Sequence, residues 1–396
     1  MKRVLVWGDA PNEPTGLGRI ARDITSMLHH LPDVKVYQAG LRYDGSIWPW
    51  HVFPIHDEKD WGDGDLQRIL RQLDFPARMD LRIITVWDPA RCYNIATRIA
   101  KLKEAFDEKA ADLELWGYFA IDSHNDLGTI SGPAAAAVGL YDRVLAYSRF
   151  GKTVLEPVTN KRVRWIPHIV GEEFQIKDVN ADEMLQAGLD PMKPLVGVVA
   201  TNQPRKDLGL VFKAMKILNE SYLGKVSDLP PAQLWLHTDH LYRHWAITEL
   251  AEIYGFNNEL LYVTTYLDPM SMVDMYNLCA VTIAPGLGEG FGYPIVESMA
   301  CGVPVLHGDF AAGPEWMPPS WCITPNFNRV EGIYALRRPL FSASAFASLL
   351  YGLLRDKPDP EWVRLQVRHL RTDALLPLWR KWLSGKPEDD VIKEDQ

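Results

Sequence analysis

Two glutamates separated by seven residues stand in a setting that suits the binding of a polyhydroxyl ligand. Glu289 lies in a loop with glycines at 288, 290 and 292, and Glu297 follows on a predicted helix that Gly302 ends. Ionised carboxylates accept hydrogen bonds without donating, which fits the hydroxyl groups of a sugar or a ribose. The glycines let a ligand approach the backbone, and the helix start favours an anion. The alternative is a strand-loop-helix corner with glutamates that face solvent.

Two adjacent cations follow a predicted strand over 195–200. Arg205 and Lys206 stand between that strand and a predicted helix from Leu208 to Leu218. At the carboxyl end of a strand they could neutralise a diphosphate, the arginine through a bidentate fork and the lysine as a point charge. The alternative is a solvated turn with two surface cations.

A third feature is the exit of the first predicted strand, where Gly16 and Gly18 precede a helix. This arrangement suits the approach of a phosphate or an acceptor. A bare G-x-G is a weak signal. The third glycine of the dinucleotide fingerprint is missing, and no acidic residue clearly ends the second strand, so the pattern argues against NAD.

The elements that must position these residues fall into two similar sets. Short, continuously apolar runs separated by helical stretches indicate parallel strands covered on both faces. We therefore predict an α/β protein with two Rossmann-like domains that face each other across a cleft, at residues 1–170 and 171–372. The predicted strands are 4–7, 34–37, 81–87, 115–121, 143–147 and 163–166 in the first set, and 195–200, 233–237, 260–263, 281–284 and 303–306 in the second.

The end of the chain is predicted to be helical from Trp362 to Leu383, with Pro377 as a kink. This last helix could belong to either domain, and residues 373–390 are candidates to join the first. The charged tail at 386–396 is predicted to fray.

At Glu289 to Glu297 the chain resembles the retaining glycosyltransferases of family 4, which have the GT-B fold. Their signature is a glutamate, then Gly-Phe-Gly, and a second glutamate after seven intervening residues, as in this sequence. The run from Ile166 to Phe174 resembles the interdomain segment of the family, and Val144 to Ser148 resembles the strand before it. The resemblance covers most of residues 1–354, strongly after Arg143 and loosely before it.

The resemblance implies a role for each of these residues. Glu297 would bind the ribose of a nucleotide donor, and Glu289 with the Phe291 and Gly292 amides would hold the donor sugar. The diphosphate would be bound by Lys206. Because Thr201 occupies the usual place of the family's arginine, either Arg205 replaces that arginine or the diphosphate is bound more weakly. Further donor-binding positions in the two glycine loops are Gly16, Gly18, Gly290 and Tyr293.

Two strand ends of the first domain carry the remaining candidates for the catalytic centre. These strand ends lie at 87–88 and 121–126. Family members often have a histidine near the second strand end that touches the donor sugar, and either Asp122 or His124 could take this role. Asp88, after the neighbouring strand, could orient an acceptor hydroxyl. A helix cap or a buried, hydrogen-bonded histidine is an equal alternative for His124.

Composition excludes several classes of protein. The 396 residues carry 51 Asp and Glu against 42 Lys and Arg, a net charge of −9, so there is no overall positive field to recruit nucleic acid or an anionic membrane. The apolar run at the amino terminus stops at Asp9, too early for a signal peptide, and no window approaches a membrane span. Four cysteines without a C-x-x-C pair suit a reduced, cytoplasmic protein.

Metal binding is not expected. Asp63-Gly64-Asp65 imitates a D-x-D metal motif, but Asp65 is better interpreted as the N-cap of a helix over 66–73. His240 and His244 could be drawn on one helix face as metal ligands, but a loop is the favoured interpretation.

These observations predict a metal-independent glycosyltransferase without a cofactor, which moves a hexose from a nucleoside diphosphate sugar to an acceptor, with retention implied by the resemblance alone. The acceptor is a glycan, a small molecule or a modified nucleic acid. The open alternatives are a DNA-modifying enzyme acting on a hydroxymethylated base, an NAD-linked oxidoreductase and a non-catalytic nucleotide-sugar sensor. The sequence does not indicate the donor base, the sugar, the acceptor or the oligomeric state.

Overall fold

The computed structural model describes residues 2–78, 80–110 and 112–384. The chain divides into two compact units. Within the described residues, unit 1 comprises 2–169, 332–336 and 372–384, and unit 2 comprises 170–331 and 337–371. Each unit has its own parallel sheet.

Unit 1 is built on a seven-stranded parallel sheet in the order β3-β2-β1-β4-β5-β6-β7. Helices connect the strands, so both faces of the sheet are covered and the central strands are continuously apolar. In β1, for example, residues 4–7 are completely buried. The strands are β1 Lys2–Asp9, β2 Val34–Leu41, β3 His51–Ile55, β4 Leu81–Thr85, β5 Leu113–Phe119, β6 Arg143–Ala146 and β7 Val163–Trp165, and the helices are α1 Gly16–His29, α2 Leu66–Gln72, α3 Tyr93–Phe106, α4 Gly132–Gly139 and α5 Arg149–Leu155.

Unit 2 repeats this plan with a six-stranded parallel sheet in the order β10-β9-β8-β11-β12-β13, and β14 and β15 form a separate two-stranded sheet. The strands are β8 Leu195–Val199, β9 Gln233–His237, β10 Leu261–Thr264, β11 Val281–Ala284, β12 Val305–Gly308, β13 Cys322–Ile323, β14 Phe327–Glu331 and β15 Leu336–Leu340, and the helices are α6 Ala181–Gln186, α7 Leu208–Ile217, α8 Ile247–Tyr254, α9 Pro269–Leu278, α10 Tyr293–Ala300, α11 Ala343–Arg355 and α12 Pro360–Gln366.

The last helix, α13 (Thr372–Ser384), packs on the sheet of unit 1. The carbonyl of Leu383 accepts hydrogen bonds from Lys2 Nζ at 2.9 Å and from Arg82 Nη1 at 2.8 Å, so two cations satisfy the helix end. The Trp382 ring lies 4.5 Å from that of Trp116 on β5, centroid to centroid. Helix α13 therefore shares the core of unit 1.

The single helix predicted over 362–383 is wrong, because the structure divides it. Helix α12 ends at Gln366, a short 3-10 turn occupies Arg368–Leu370, and α13 begins at Thr372. Pro377, predicted to be a kink, lies inside α13. The extension of this helix to residue 390 and the tail at 386–396 fall outside the described residues.

Strands β3 and β13, both at sheet edges, and the pair β14 and β15 were not predicted. β3 contains Pro54, which lacks an N–H donor, and it lies at the edge of the sheet, where a proline is tolerated. β13 has only two residues. Neither offers the apolar run from which the predicted strands are recognisable.

Candidate functional site

Two loops at the carboxyl edge of the unit 2 sheet pair with each other. They follow β8 and β11, which are neighbours in the sheet. Lys206 and Gly286 form an antiparallel bridge, and the Leu287 N–H donates to the Arg205 carbonyl at 2.7 Å. The Asp207 N–H donates to the Pro285 carbonyl at 3.3 Å. The strand order thus brings together two loops that lie some 80 residues apart in the chain.

The pairing places both predicted cations at the carboxylate of Glu289. Lys206 Nζ donates to Glu289 Oε1, and Arg205 Nη1 lies 3.5 Å from Glu289 Oε2. Arg205 Nη1 also donates to the Gly288 carbonyl at 2.8 Å. Lys206 and Glu289 are buried, whereas the Arg205 side chain is 30% exposed. We call Arg205, Lys206 and Glu289 the cation–glutamate cluster.

The charge of this cluster is fixed by the two cations. Burial alone would raise the pKa of Glu289, but Lys206 and then Arg205 outweigh it and lower the pKa to about 2. Glu289 is therefore an acceptor-only carboxylate at neutral pH. With two cations and one anion, the cluster carries a net charge of +1, which suits an anionic ligand group.

The glycine loop allows this close approach. A side chain at Gly286 would collide with Glu289 Oε1, so the carboxylate lies directly against the backbone there. Gly292 caps α10 with a φ of 93°, a conformation that glycine adopts without strain. Gly290 between them is half-buried.

Aromatic packing anchors the rest of the loop. Phe291 is buried, with its ring centroid 5.1 Å from that of Trp316 and 5.2 Å from that of Tyr293. Trp316 Nε1 donates to the Phe291 carbonyl at 2.7 Å. The Phe291 side chain therefore anchors the loop through these contacts. Tyr293 is half-buried at the first turn of α10.

Glu297 is held by a separate contact. It lies on α10, is buried, and accepts a hydrogen bond from Tyr276 Oη on α9 at 3.0 Å through Oε2. Burial and the neighbouring Glu297 raise the pKa of Tyr276, so the phenol stays protonated and remains a donor. Tyr276 orients one oxygen of Glu297.

In unit 1, Gly16 and Gly18 stand at the start of α1. Thr15 is the N-cap, and its Oγ1 accepts from the Gly18 N–H at 3.0 Å. A Cβ at Gly18 would collide with the backbone of Glu13, whereas a Cβ at Gly16 would meet no described atom within 4 Å. Gly18 is thus required by packing, and Gly16 leaves an open approach to the helix start.

Asp9, to which the sequence analysis gave no role, organises this edge of unit 1. It is buried, and it accepts from Thr15 Oγ1 and from Trp87 Nε1, each at 3.0 Å. Arg42 Nη2 lies 3.7 Å from the same carboxylate. One side chain at the end of β1 therefore joins the α1 cap to the ends of β4 and β2. An acidic residue at the end of a buried apolar run was the available signal.

The Asp122 carboxylate acts electrostatically on Asp88. Asp88 pairs with Arg91 at 2.8 Å and is half-buried. Burial raises the pKa of Asp88, Arg91 opposes this shift, and the Asp122 carboxylate adds to it. His124, two residues on, donates through Nδ1 to the Asn125 carbonyl at 2.6 Å. These three candidates belong to unit 1.

Asp65 occupies the N-cap position of α2, but its side chain makes no capping hydrogen bond, so the predicted capping role is wrong. The carboxylate accepts instead from the His56 and Asp57 N–H groups and from Arg68. It ties the start of α2 to the end of β3.

Among the described residues there is no group of three His, Cys, Asp or Glu side chains close enough to share a metal ion. His240 and His244 lie in the loop between β9 and α8, not on a helix. Asn202, which the sequence analysis passed over, shapes this loop: Nδ2 donates to the His240 and Trp245 carbonyls, each at 2.8 Å.

The structure brings Arg205, Lys206 and Glu289 together at one point of unit 2, and it places Glu297 beside Tyr276 on the helix that follows. Thr201, which stands where the family's arginine is usual, is exposed. One neighbour of the cation–glutamate cluster, His307, was missed because a single histidine inside an apolar strand carries no sequence signal.

Comparison with known proteins agrees with this picture. Residues 180–316, which contain the whole cluster, match the family model for glycosyl transferases group 1. A stretch of 161 residues, 40% of this chain, is 30% identical to the serotype-specific mannosyltransferase WbdA of Escherichia coli. The matched stretch covers 19% of that protein, so the chain spans about a fifth of the length of the curated relatives it matches.

Solved structures extend the likeness to the complete fold. Sucrose-phosphate synthase from Thermosynechococcus elongatus superposes with a TM-score of 0.69 at 16% identity, over 98% of this chain and all of that one. HepE from Anabaena, in complex with UDP and glucose, gives 0.68 at 15% identity, over 98% of this chain and all of that one. The lipopolysaccharide glycosyltransferase WaaG gives 0.63 at 12% identity, over 97% of this chain and all of that one.

The fold is therefore that of the GT-B glycosyltransferases, with two Rossmann-like α/β units, as predicted. Within it, residues 180–316 carry the sequence pattern of glycosyl transferases group 1. None of the helices in the described part of the chain combines the length and the apolar character needed to cross a membrane.

Proposed function

We propose that this chain is a glycosyltransferase that transfers a sugar from a nucleoside diphosphate sugar to an acceptor hydroxyl. The observation that carries the proposal is the cation–glutamate cluster at the carboxyl edge of the unit 2 sheet. Ligands of such sheets bind at this edge. The cluster unites a sugar-hydroxyl acceptor, Glu289, with two groups that bind a diphosphate, Arg205 and Lys206.

In this proposal the cluster acts mainly through electrostatics. Cleavage of the bond between the anomeric carbon and the phosphate oxygen leaves negative charge on the departing diphosphate, which Lys206 and Arg205 stabilise. The acceptor oxygen forms the new bond to the anomeric carbon, and its proton passes to the departing phosphate. Attack from the same face, and hence retention, follows from the resemblance to family 4.

Glu289 and Glu297 divide the recognition of the donor. Glu289 is ionised and held against the Gly286 backbone, so it would accept from hydroxyls of the sugar. Glu297, oriented by Tyr276, would accept from the ribose. Glu289 lies in the loop and Glu297 on helix α10, and the proposal assigns them to the two ends of a nucleoside diphosphate sugar.

Unit 1 would supply the acceptor side. The open approach at Gly16 and the carboxylate of Asp88 are the groups proposed to meet the acceptor, and Asp122 or His124 is proposed to touch the donor sugar. We further propose that the reaction needs no metal ion, since Lys206 and Arg205 would offset part of the negative charge of the leaving group, and that the protein acts in the cytoplasm.

A second candidate function is donor binding without transfer. The observation that favours it is Thr201, an exposed, uncharged residue at the usual place of the family's arginine. In the first proposal Arg205 replaces that arginine, because it reaches Glu289 and the Gly288 carbonyl.

One experiment separates the two functions. Wild-type protein is incubated with UDP-glucose, GDP-mannose or ADP-glucose, with and without a panel of acceptor sugars. Release of the nucleoside diphosphate is measured, and binding of each donor is measured by calorimetry. The proposal expects release from one of the donors, with a loss of at least about a hundredfold in Glu289→Gln, since an electrostatic group at the reacting centre contributes this much. Glu252→Gln, an exposed position on α8, is the matched control. Binding of a donor without release favours the second function, and no binding of any donor contradicts both.

A further inference from the structure

His307 lies completely buried beside the cation–glutamate cluster and has no part in the proposed chemistry. It is on β12, in register with Ala284, the last residue of β11. Its Nδ1 lies 2.7 Å from the Ala284 carbonyl oxygen. A carbonyl can only accept, so Nδ1 carries the proton of this hydrogen bond.

The second ring nitrogen is unsatisfied. Nε2 of His307 is buried and has no hydrogen-bond partner among the residues that the structure describes. Burial lowers the pKa of the imidazole; the Ala284 carbonyl, Glu289 and the backbone of Phe310 oppose this shift, and Lys206 adds to it. The ring is therefore neutral at neutral pH, with a proton on Nδ1 and a lone pair on Nε2. A buried polar atom without a partner is rare enough to require an explanation.

The ring touches both segments that carry Glu289. Through Nδ1 it binds Ala284, where the glycine loop begins. A side chain at Gly313 would collide with Cδ2 and Nε2, so the ring packs directly on the backbone of the following turn. In that turn the Ala312 N–H donates to the Glu289 carbonyl at 3.1 Å.

We propose that His307 is a positioning residue for Glu289. His307 fixes the position of the glycine loop through its hydrogen bond to Ala284 and its contact with Gly313. The neutral imidazole packs against the loop without adding a charge. Lys206 and Arg205 therefore remain the charged partners of the Glu289 carboxylate. The inference rests on the proposed function, since it concerns the grip on the donor sugar.

The proposal separates two parts of donor affinity. The diphosphate is bound by Arg205 and Lys206, whereas the sugar is held by Glu289. Displacement of the loop should therefore reduce the extra affinity that the sugar adds and leave the affinity for the nucleoside diphosphate nearly unchanged. A residue with a purely structural role would change both affinities together, in proportion to the unfolded fraction.

A matched pair of variants tests this separation. In His307→Asn the side-chain amide can occupy the place of Nδ1 and donate to Ala284, whereas in His307→Gln it reaches the place of Nε2. Dissociation constants are measured by calorimetry for UDP and UDP-glucose, GDP and GDP-mannose, and ADP and ADP-glucose. The affinity that the sugar adds is the ratio of the dissociation constants of the nucleoside diphosphate and of its sugar. We expect this ratio to fall about tenfold in His307→Gln, the order expected for one hydrogen bond. The dissociation constant of the nucleoside diphosphate itself should change less than about twofold. His307→Asn should retain the sugar's contribution.

The outcomes distinguish this inference from the proposed function. If wild-type protein binds no nucleotide, the proposed function fails. If it binds nucleotide and both variants keep or both lose the sugar's contribution, the role of His307 is overturned while the function stands. If the sugar adds no affinity in the wild-type protein, the role of His307 is overturned as well.

A second measurement does not depend on the folding of the variants. Ring ¹⁵N chemical shifts of wild-type protein at pH 7 report the tautomer of His307. The inference requires a neutral ring with the proton on Nδ1. A proton on Nε2, or on both nitrogens, overturns it.

Discussion

The ammonium group of Lys206 donates to the carboxylate of Glu289, 83 residues further along the chain, and both side chains are buried. The contact exists because two neighbouring parallel strands end at the same edge of the sheet and their loops pair backbone to backbone. It joins the group proposed to bind the diphosphate to the group proposed to hold the sugar.

Removal of one partner of the buried pair should destabilise unit 2. In Lys206→Met, Glu289 keeps only Arg205, so we expect a loss of about 3 kcal/mol in the free energy of unfolding, measured with urea. The double variant Lys206→Met/Glu289→Gln should recover part of it, because no buried charge is then left unpaired. Lys213→Met, an exposed position on α7, should change stability by less than about 0.5 kcal/mol. Equal effects at positions 206 and 213 would contradict the pairing.

Stability should depend on acid pH through Glu289. Its pKa falls from the usual 4.5 to about 2 in the folded protein, so its contribution is present above pH 4.5 and disappears as the pH falls toward 2. The full contribution is about 3 kcal/mol, from 1.36 kcal/mol per pKa unit. The difference in unfolding free energy between wild type and Glu289→Gln should therefore shrink between pH 5 and pH 3. A difference that stays constant over this range would argue against the low pKa.

Asp88 should titrate above the ordinary range for an aspartate. Burial raises its pKa, and Asp122 contributes to the shift, so Asp122→Asn should move the pKa of Asp88 downward. Carboxyl ¹³C chemical shifts followed against pH measure the pKa of Asp88 in the wild type and in the variant. Asp126→Asn, on the same loop, serves as the control and should leave Asp88 unchanged. Should the Asp122 and Asp126 variants behave alike, the two carboxylates do not interact.

The two glycines before α1 should respond differently to alanine. A Cβ at Gly18 would collide with the Glu13 backbone, so Gly18→Ala should cost about 1–3 kcal/mol of stability. Gly16→Ala has room and should stay within about 0.5 kcal/mol, and it should reduce turnover if the acceptor approaches there. Thermal unfolding and donor turnover are compared in the two variants. Unchanged turnover in a stable Gly16→Ala variant would remove this loop from the proposed site.

Much of the fold could be predicted from the sequence because most strands of the two parallel sheets are buried on both faces and appear as continuous apolar runs. The edge strand β3 escaped prediction since Pro54 interrupts its pattern, and the break between α12 and α13 escaped because the helical periodicity continues across it. Asp65 was misassigned for a related reason: a cap and a side chain that binds a neighbouring loop have the same local sequence.

The candidate site was predictable only in part. The spacing of Glu289 and Glu297 and the adjacent cations pointed to their chemistry, but the contact between Lys206 and Glu289 depends on strand order. Asp9 and His307 act through atoms from distant segments. No local pattern reveals His307, and for Asp9 the only local signal is an acidic residue at the end of an apolar run. Which group such a side chain contacts in the folded protein depends on the order of the strands in the sheet.

The central claim is that one ligand's diphosphate lies at the cation–glutamate cluster. Thermal shift against UDP, GDP and ADP identifies the nucleotide that binds, since ligand binding raises the melting temperature. A crystal structure of that complex is then the most direct measurement. We predict a phosphate oxygen within hydrogen-bond distance of Lys206 Nζ or of the Arg205 guanidinium. A nucleotide bound with its phosphates away from both cations would contradict the account.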